Sequence, residues 1–109
     1  MLKYDNWSIG GENVRDNDIY EVYDNTELEK LVISKTRLRE NKSTKRHRHA
    51  GQEEVYIFIN GEGEMEVDHE IFPVKSGDSV LIKDNQFHKV HNKGKYWLEF
   101  ICVFNGARV

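Results

Sequence analysis

The sequence predicts an all-β fold, on three observations. Short runs rich in Val, Ile, Phe and Tyr recur along the chain. Turn-forming residues interrupt them at short intervals. No apolar stripe at i, i+3, i+4, i+7 lasts long enough for a helix of more than one turn. Many short strands at this spacing indicate antiparallel sheets arranged as a sandwich or barrel.

Taken in order, residues 1–18, with Gly10-Gly11 and scattered polar side chains, read as an N-terminal arm or loop, and residues 19–109 as one domain. Strands are expected at 19–23 and 31–38, separated by 26–30, which has room for one helical turn. The next, 45–49, carries His47-Arg48-His49. The run 55–60 ends at Asn60-Gly61, a strong turn signal. Segments 64–67 and 71–74 flank Asp68-His69 as a hairpin, and Pro73, the single proline, suits an edge strand or a strand end. Strand 79–82 follows Ser76-Gly77-Asp78, strand 88–91 follows Asp84-Asn85, and strand 96–104 follows Lys93-Gly94.

Composition narrows the function classes. The 109 residues carry 16 Lys+Arg against 19 Asp+Glu, a formal net charge of −3, which gives no basic footprint for nucleic acid. With 38% apolar and 32% charged residues the chain is polar, yet 11% aromatics and the β-branched runs argue for a folded domain. The longest apolar runs, 55–59 and 100–104, are five residues each, against the roughly 20 of a membrane helix. Lys3, Asp5 and Asn6 leave no apolar core for a secretory signal. Cys102 is the one cysteine, so no intrachain disulfide is possible. The expectation is a soluble, cytoplasmic protein that binds neither nucleic acid nor membrane.

The chemistry concentrates in the histidines. On a strand, residues i and i+2 share a face, so His47 and His49 converge as two neutral nitrogen donors. The same parity puts Glu54, Tyr56 and Phe58 on one face and Glu53, Val55, Ile57 and Ile59 on the other. His88 follows later, after Gly77 and a short strand. Three imidazoles and one carboxylate can hold a divalent transition ion and leave positions open for water or substrate. His69 reads as exposed turn filler. His91 is out of phase with His88 and is excluded as a ligand. Cys102 alternates with Phe100 and Phe104, which marks it as core rather than nucleophile.

The spacing His47-x-His49-x(4)-Glu54-x(6)-Gly61 resembles the first motif of the cupin superfamily. Gly77-x(5)-Lys83-x-Asn85-x(2)-His88-x(3)-Asn92 is similar to the second. The likeness runs from about residue 31 to 104 and includes the turn Asn60-Gly61-Glu62-Gly63. It implies a double-stranded β-helix, or jelly-roll barrel, with His47, His49, Glu54 and His88 as ligands of one divalent transition metal, Zn, Mn, Fe and Ni being equally compatible. Asn41 replaces the glycine that opens the first motif, and Lys83 and Asn85 replace the proline and glycine of the second. No ligand is lost.

The basic stretch Arg37, Arg39, Lys42, Lys45, Arg46, Arg48 reads first as solvated surface. By parity, however, Lys45 lies on the side of the histidines and can reach an anionic ligand, with Tyr56 lining the same space as the second candidate substrate contact. Arg46 and Arg48 point away. The outward Val55, Ile57 and Ile59 need cover from the arm or a second subunit, which favours a homodimer. Among reactions, the likeness to mannose-6-phosphate isomerase-like cupins puts metal-dependent isomerisation of a small polar sugar- or carboxylate-like molecule first. An iron-dependent dioxygenase and a non-catalytic small-molecule binder are the alternatives. No residue stands out as the general base.

Overall fold

The computed structural model describes residues 1–108, and the nine strands among them form two antiparallel sheets. The larger sheet has the order β1-β2-β3-β9-β4-β7, built from β1 (Glu12–Asp16), β2 (Tyr20–Asn25), β3 (Leu31–Leu38), β9 (Leu98–Asn105), β4 (Glu54–Asn60) and β7 (Ser79–Ile82). The smaller has the order β6-β5-β8, from β6 (Glu70–Lys75), β5 (Glu62–Val67) and β8 (His88–Asn92). The described residues contain no helix, in keeping with the all-β jelly roll expected.

Strict alternation builds the barrel interior. In β3, Val32, Ser34, Thr36 and Leu38 are buried, and in β8, His88, Val90 and Asn92. Register then assembles rows across the sheet: Thr36 lies opposite Phe100, and Phe100 opposite Phe58. The Phe58 and Phe100 ring centroids are 5.4 Å apart, and Tyr56 lies 5.4 Å from Phe100. Each such aromatic pair adds about 0.5–1.5 kcal/mol beyond its area burial. Ser34, Thr36 and Glu54 line a cavity together with Phe100 and Phe104, while Leu38, Phe58, Met65, Val90 and Leu98 pack fully buried. The barrel therefore has a packed floor and a polar mouth.

Two positions, one in a turn and one in β5, require glycine. Gly61 has φ +86°, and a Cβ there would lie 2.7 Å from the Trp97 carbonyl oxygen. Gly63 sits so close to β8 that a Cβ would lie 2.3 Å from the His91 carbonyl oxygen. Pro73 lies on β6, an edge strand, where its missing N–H costs no ladder bond.

Two expectations are corrected. Residues 45–49 form no strand: they belong to the connection between β3 and β4, which makes only isolated bridges, Ser43 to His91 and His47 to His88. This connection leaves the large sheet after β3 and returns to it at β4, touching β8 of the small sheet at points on the way instead of pairing along it. The region 1–18 is not all loop, because Glu12–Asp16 pairs with β2 as the edge strand β1. All five of its residues are exposed, which leaves no alternating apolar pattern to read. Strand β9 also begins at Leu98, later than expected, since Tyr96 lies in the preceding turn and is 81% exposed.

Residues 2–9 fold back across the outer face of the large sheet. Leu2, Tyr4, Trp7 and Ile9 line a cavity of about 590 Å³ with Leu28 and Ile101. They bury Ile9 and Ile101, whereas Ile57 and Leu81 farther along the same face stay exposed.

Candidate metal centre

Three elements converge at the barrel mouth. His88 opens β8 with its side chain inward and is 2% exposed. Glu54 opens β4 on the inward side shared with Tyr56 and Phe58. His47 and His49 come from the connection ahead of β4, which is pinned to the barrel by its backbone. The His47 N–H donates to the His88 carbonyl (3.1 Å), the His88 N–H to the His47 carbonyl (2.9 Å), and the Asn85 N–H to the His49 carbonyl (3.2 Å). Asn85 takes a left-handed φ of 64°, which the motif glycine it replaces would supply more easily.

One donor atom from each of His47, His49 and His88 lies within 4.8 Å of the others. The His47 and His88 ring centroids are 4.2 Å apart, and those of His47 and His49 4.8 Å. Glu54 Oε1 lies 3.2 Å from His88 Nε2. The tautomers follow from the hydrogen bonds. His47 Nδ1 faces the Lys45 carbonyl at 2.6 Å, and His88 Nδ1 faces the Gln86 carbonyl at 2.9 Å. A carbonyl only accepts, so both Nδ1 atoms carry the proton and both Nε2 lone pairs are left for another partner. Burial pulls His47 and His49 below the ordinary imidazole value, which keeps them neutral at pH 7.

His88 Nε2 is the decisive atom. It is buried, and among the described residues it makes no hydrogen bond, despite its nearness to Glu54. An unpaired buried nitrogen costs about 1–3 kcal/mol. A lone pair facing two more imidazoles and a carboxylate suits a divalent cation, which would satisfy all of them together. The residues present fit such an ion.

The site opens into a cavity of about 320 Å³. Lys45 and Tyr56, the expected ligand contacts, both line it. Tyr56 is 5% exposed, and burial pushes its hydroxyl well above the ordinary phenol value. Burial likewise raises the neighbouring Cys102 thiol, so Cys102 is no thiolate nucleophile at neutral pH. His91 points away from the centre and bonds Ser43 Oγ through Nδ1. His69 lies in the β5–β6 turn. Glu53 is exposed on the side opposite Glu54. Arg46 and Arg48 stack on Phe87, 4.0 and 4.4 Å from its ring centroid, outside the cavity lining. Sequence reasoning missed six polar residues of the lining, Arg15, Ser34, Thr36, Thr44, Gln52 and Arg108. Only the inward parity of Ser34 and Thr36 on β3 signals any of them. The larger cavity under residues 2–9 lies on the other face of the sheet, away from this chemistry.

The cupin-domain family model matches residues 35–104 of this chain. The chain belongs to the cupin family. Among curated relatives of this cupin, the oxalate-binding protein of Thermotoga maritima is 29% identical over 72 residues, which cover 66% of this chain and 60% of the relative. The match to an uncharacterised Methanocaldococcus jannaschii protein covers 45% of that protein, so the chain spans roughly half the length of the curated relatives it matches. A solved structure of a predicted oxalate decarboxylase from Thermotoga maritima superposes with a TM-score of 0.70 at 26% identity, covering 80% of this chain and 82% of that one. A cupin sugar phosphate isomerase from Silicibacter pomeroyi superposes with a TM-score of 0.75 at 20% identity, covering 83% and 61%, which bears on the fold alone.

Proposed function

We propose that this cupin holds one divalent transition ion through His47, His49, Glu54 and His88 and binds a small, oxygen-rich, anionic molecule there as a chelate. The observation that carries the reading is His88 Nε2, a buried lone pair with no hydrogen-bond partner among the described residues, aimed at the other candidate ligands. When bound, a divalent ion supplies Lewis-acid polarisation of the ligand oxygens. The protein's own residues do the rest. The carbonyls of Lys45 and Gln86 hold two imidazoles with Nε2 unprotonated. Lys45 adds positive charge at the rim, and Tyr56 offers a protonated hydroxyl from the cavity wall. The likeness to a protein named for oxalate binding is in keeping with a carboxylate ligand.

Isomerisation needs a base beside the ligand. Among the described residues lining the cavity, the only imidazoles and carboxylate are His47, His49 and Glu54, each a proposed metal ligand. Chelation of an anionic ligand therefore ranks ahead of isomerisation. The test is cobalt(II) substitution followed by visible spectroscopy. The metal band should shift when oxalate is added and stay unchanged when a neutral monoalcohol is added. A spectrum indifferent to oxalate would reject chelation at this centre. We also propose that the outer sheet face carrying Ile57 and Leu81 mediates a homodimer.

A further inference from the structure

The segment after β9 reaches back over the barrel mouth. Gly106 turns it with φ +82°, and its N–H donates to the Lys30 carbonyl (3.1 Å). Gln52 Nε2 donates to the Ala107 carbonyl (2.7 Å). Asn105 clasps the connection ahead of β4, with Nδ2 donating to the Gly51 carbonyl (3.0 Å) and Oδ1 accepting from the Glu53 N–H (2.8 Å). These ties deliver the Arg108 side chain into the wall of the cavity that holds the histidine cluster.

There Arg108 is held side-on. Its Nε and Nη2 donate to the two oxygens of Asp24, at 2.5 and 2.8 Å, and Nη2 also donates to Ser34 Oγ at 2.7 Å. The guanidinium lies 5.4 Å from the Phe104 ring centroid. Asp24 is 8% exposed and Ser34 1%, so the partners are rigid interior groups. This fork uses one edge of the guanidinium. Among the described residues Nη1 makes no hydrogen bond, and the side chain remains 33% exposed, toward the cavity it lines. Both hydrogens of Nη2 are engaged, so the two N–H groups of Nη1 are what this fixed guanidinium has left to offer an anionic oxygen. Lys45 and Arg15 line the same cavity, against Glu54 as its carboxylate, so the lining is positive even before any metal charge is counted.

Building on the metal reading above, we propose that Arg108 is the anchor for the distal carboxylate of a small dicarboxylate, whose other end sits at the histidine cluster. Asp24 and Ser34 are positioning residues that aim the guanidinium. A purely structural role, in which Arg108 only neutralises buried Asp24, predicts a change in stability with no change in ligand choice, so ligand choice is what the experiment reads.

The experiment uses full-length, manganese-loaded protein, with metal content measured separately by elemental analysis and oxalate binding by calorimetry. Arg108→Gln should weaken oxalate about 10- to 100-fold, the value of a charge-assisted pair, while metal stoichiometry stays at the wild-type level. Arg108→Lys should recover part of the loss. On the unmodified protein, oxamate, with one carboxylate replaced by an amide, should bind at least about 10-fold more weakly than oxalate, a comparison that stands even if Arg108→Gln fails to fold. Equal oxalate affinity in Arg108→Gln and wild type would overturn the proposal, as would equal affinity for oxalate and oxamate. A wild-type protein that loads manganese and ignores oxalate would also overturn it while leaving the metal centre standing. Failure to load manganese at all would overturn the metal reading itself.

Discussion

Glu53 and Glu54 are chemically identical neighbours with opposite fates. Strand parity alone sends Glu54 inward beside His88 and leaves Glu53 in solvent, and the structure places them so. Glu54→Gln should therefore lower metal affinity by at least about 10–100-fold, since even a supporting residue of a metal site commonly costs that much. Glu53→Gln should leave affinity near wild type, because an exposed carboxylate contributes at most a fraction of a kcal/mol. His69→Ala and His91→Ala should behave like Glu53→Gln. Metal titration by calorimetry across these variants checks the register, and equal losses for the two glutamates would refute it. Parity made Glu54 and Tyr56 legible in the sequence, and the spacing of the second motif made His88 so. Arg108 was not, because a side chain delivered by a tail that folds back has no periodicity to announce it.

At the scale of elements, eight of the nine strands were expected to within two residues at both ends, because buried alternation and turn glycines bound them. The failures share one cause. β1 and the 39–53 connection gain their order from backbone pairing and point contacts, not from a buried face, so neither leaves a pattern of side chains. The hairpin after β8 shows how a polar residue fixes an element. Asn92 is fully buried, its Nδ2 donates to the Leu38 and Tyr96 carbonyls at 2.9 and 2.7 Å, and its Oδ1 accepts from the Gly94 N–H at 2.9 Å. Asn92→Ala strands these backbone groups and should cost at least about 2 kcal/mol, a fall in Tm of roughly 8–16 °C by thermal melting. A change under about 2 °C would contradict this role. On the sheet surface, Arg37 bridges Glu21 (3.0 Å) and Glu99 (2.7 Å). The Tyr23 hydroxyl, then Arg37, holds the Glu21 carboxyl below its ordinary value. A carboxylate depressed on folding adds stability that is present above its ordinary pKa and is lost as pH falls through the folded value. The Tm advantage of wild type over Glu21→Gln should accordingly shrink between pH 7 and about pH 3; an advantage that grows with acidification would contradict the assignment.

For the whole molecule, the sheet's two faces divide the work. The inner face builds the floor and the candidate metal centre, while the outer face is covered by residues 2–9 only at the Ile33–Ile101 end. Val103 lies opposite Val55, and Val55 opposite Leu81, so an apolar row runs toward the uncovered edge, where Leu81 is 71% exposed. If this row is the dimer surface, Ile57→Lys combined with Leu81→Lys should halve the mass seen by sedimentation velocity without removing metal. An unchanged mass would reject the surface. The barrel was legible as a whole from its motifs, whereas its assembly rests on this exposed row alone. The central claim, that four residues hold an ion at the mouth, is tested most directly by elemental analysis of the protein after loading with a divalent transition metal and exhaustive dialysis. The account predicts one ion retained per chain in the wild type and none in the His47→Ala, His49→Ala, His88→Ala triple variant; a wild type that retains no ion, or a triple variant that retains it fully, would contradict the account.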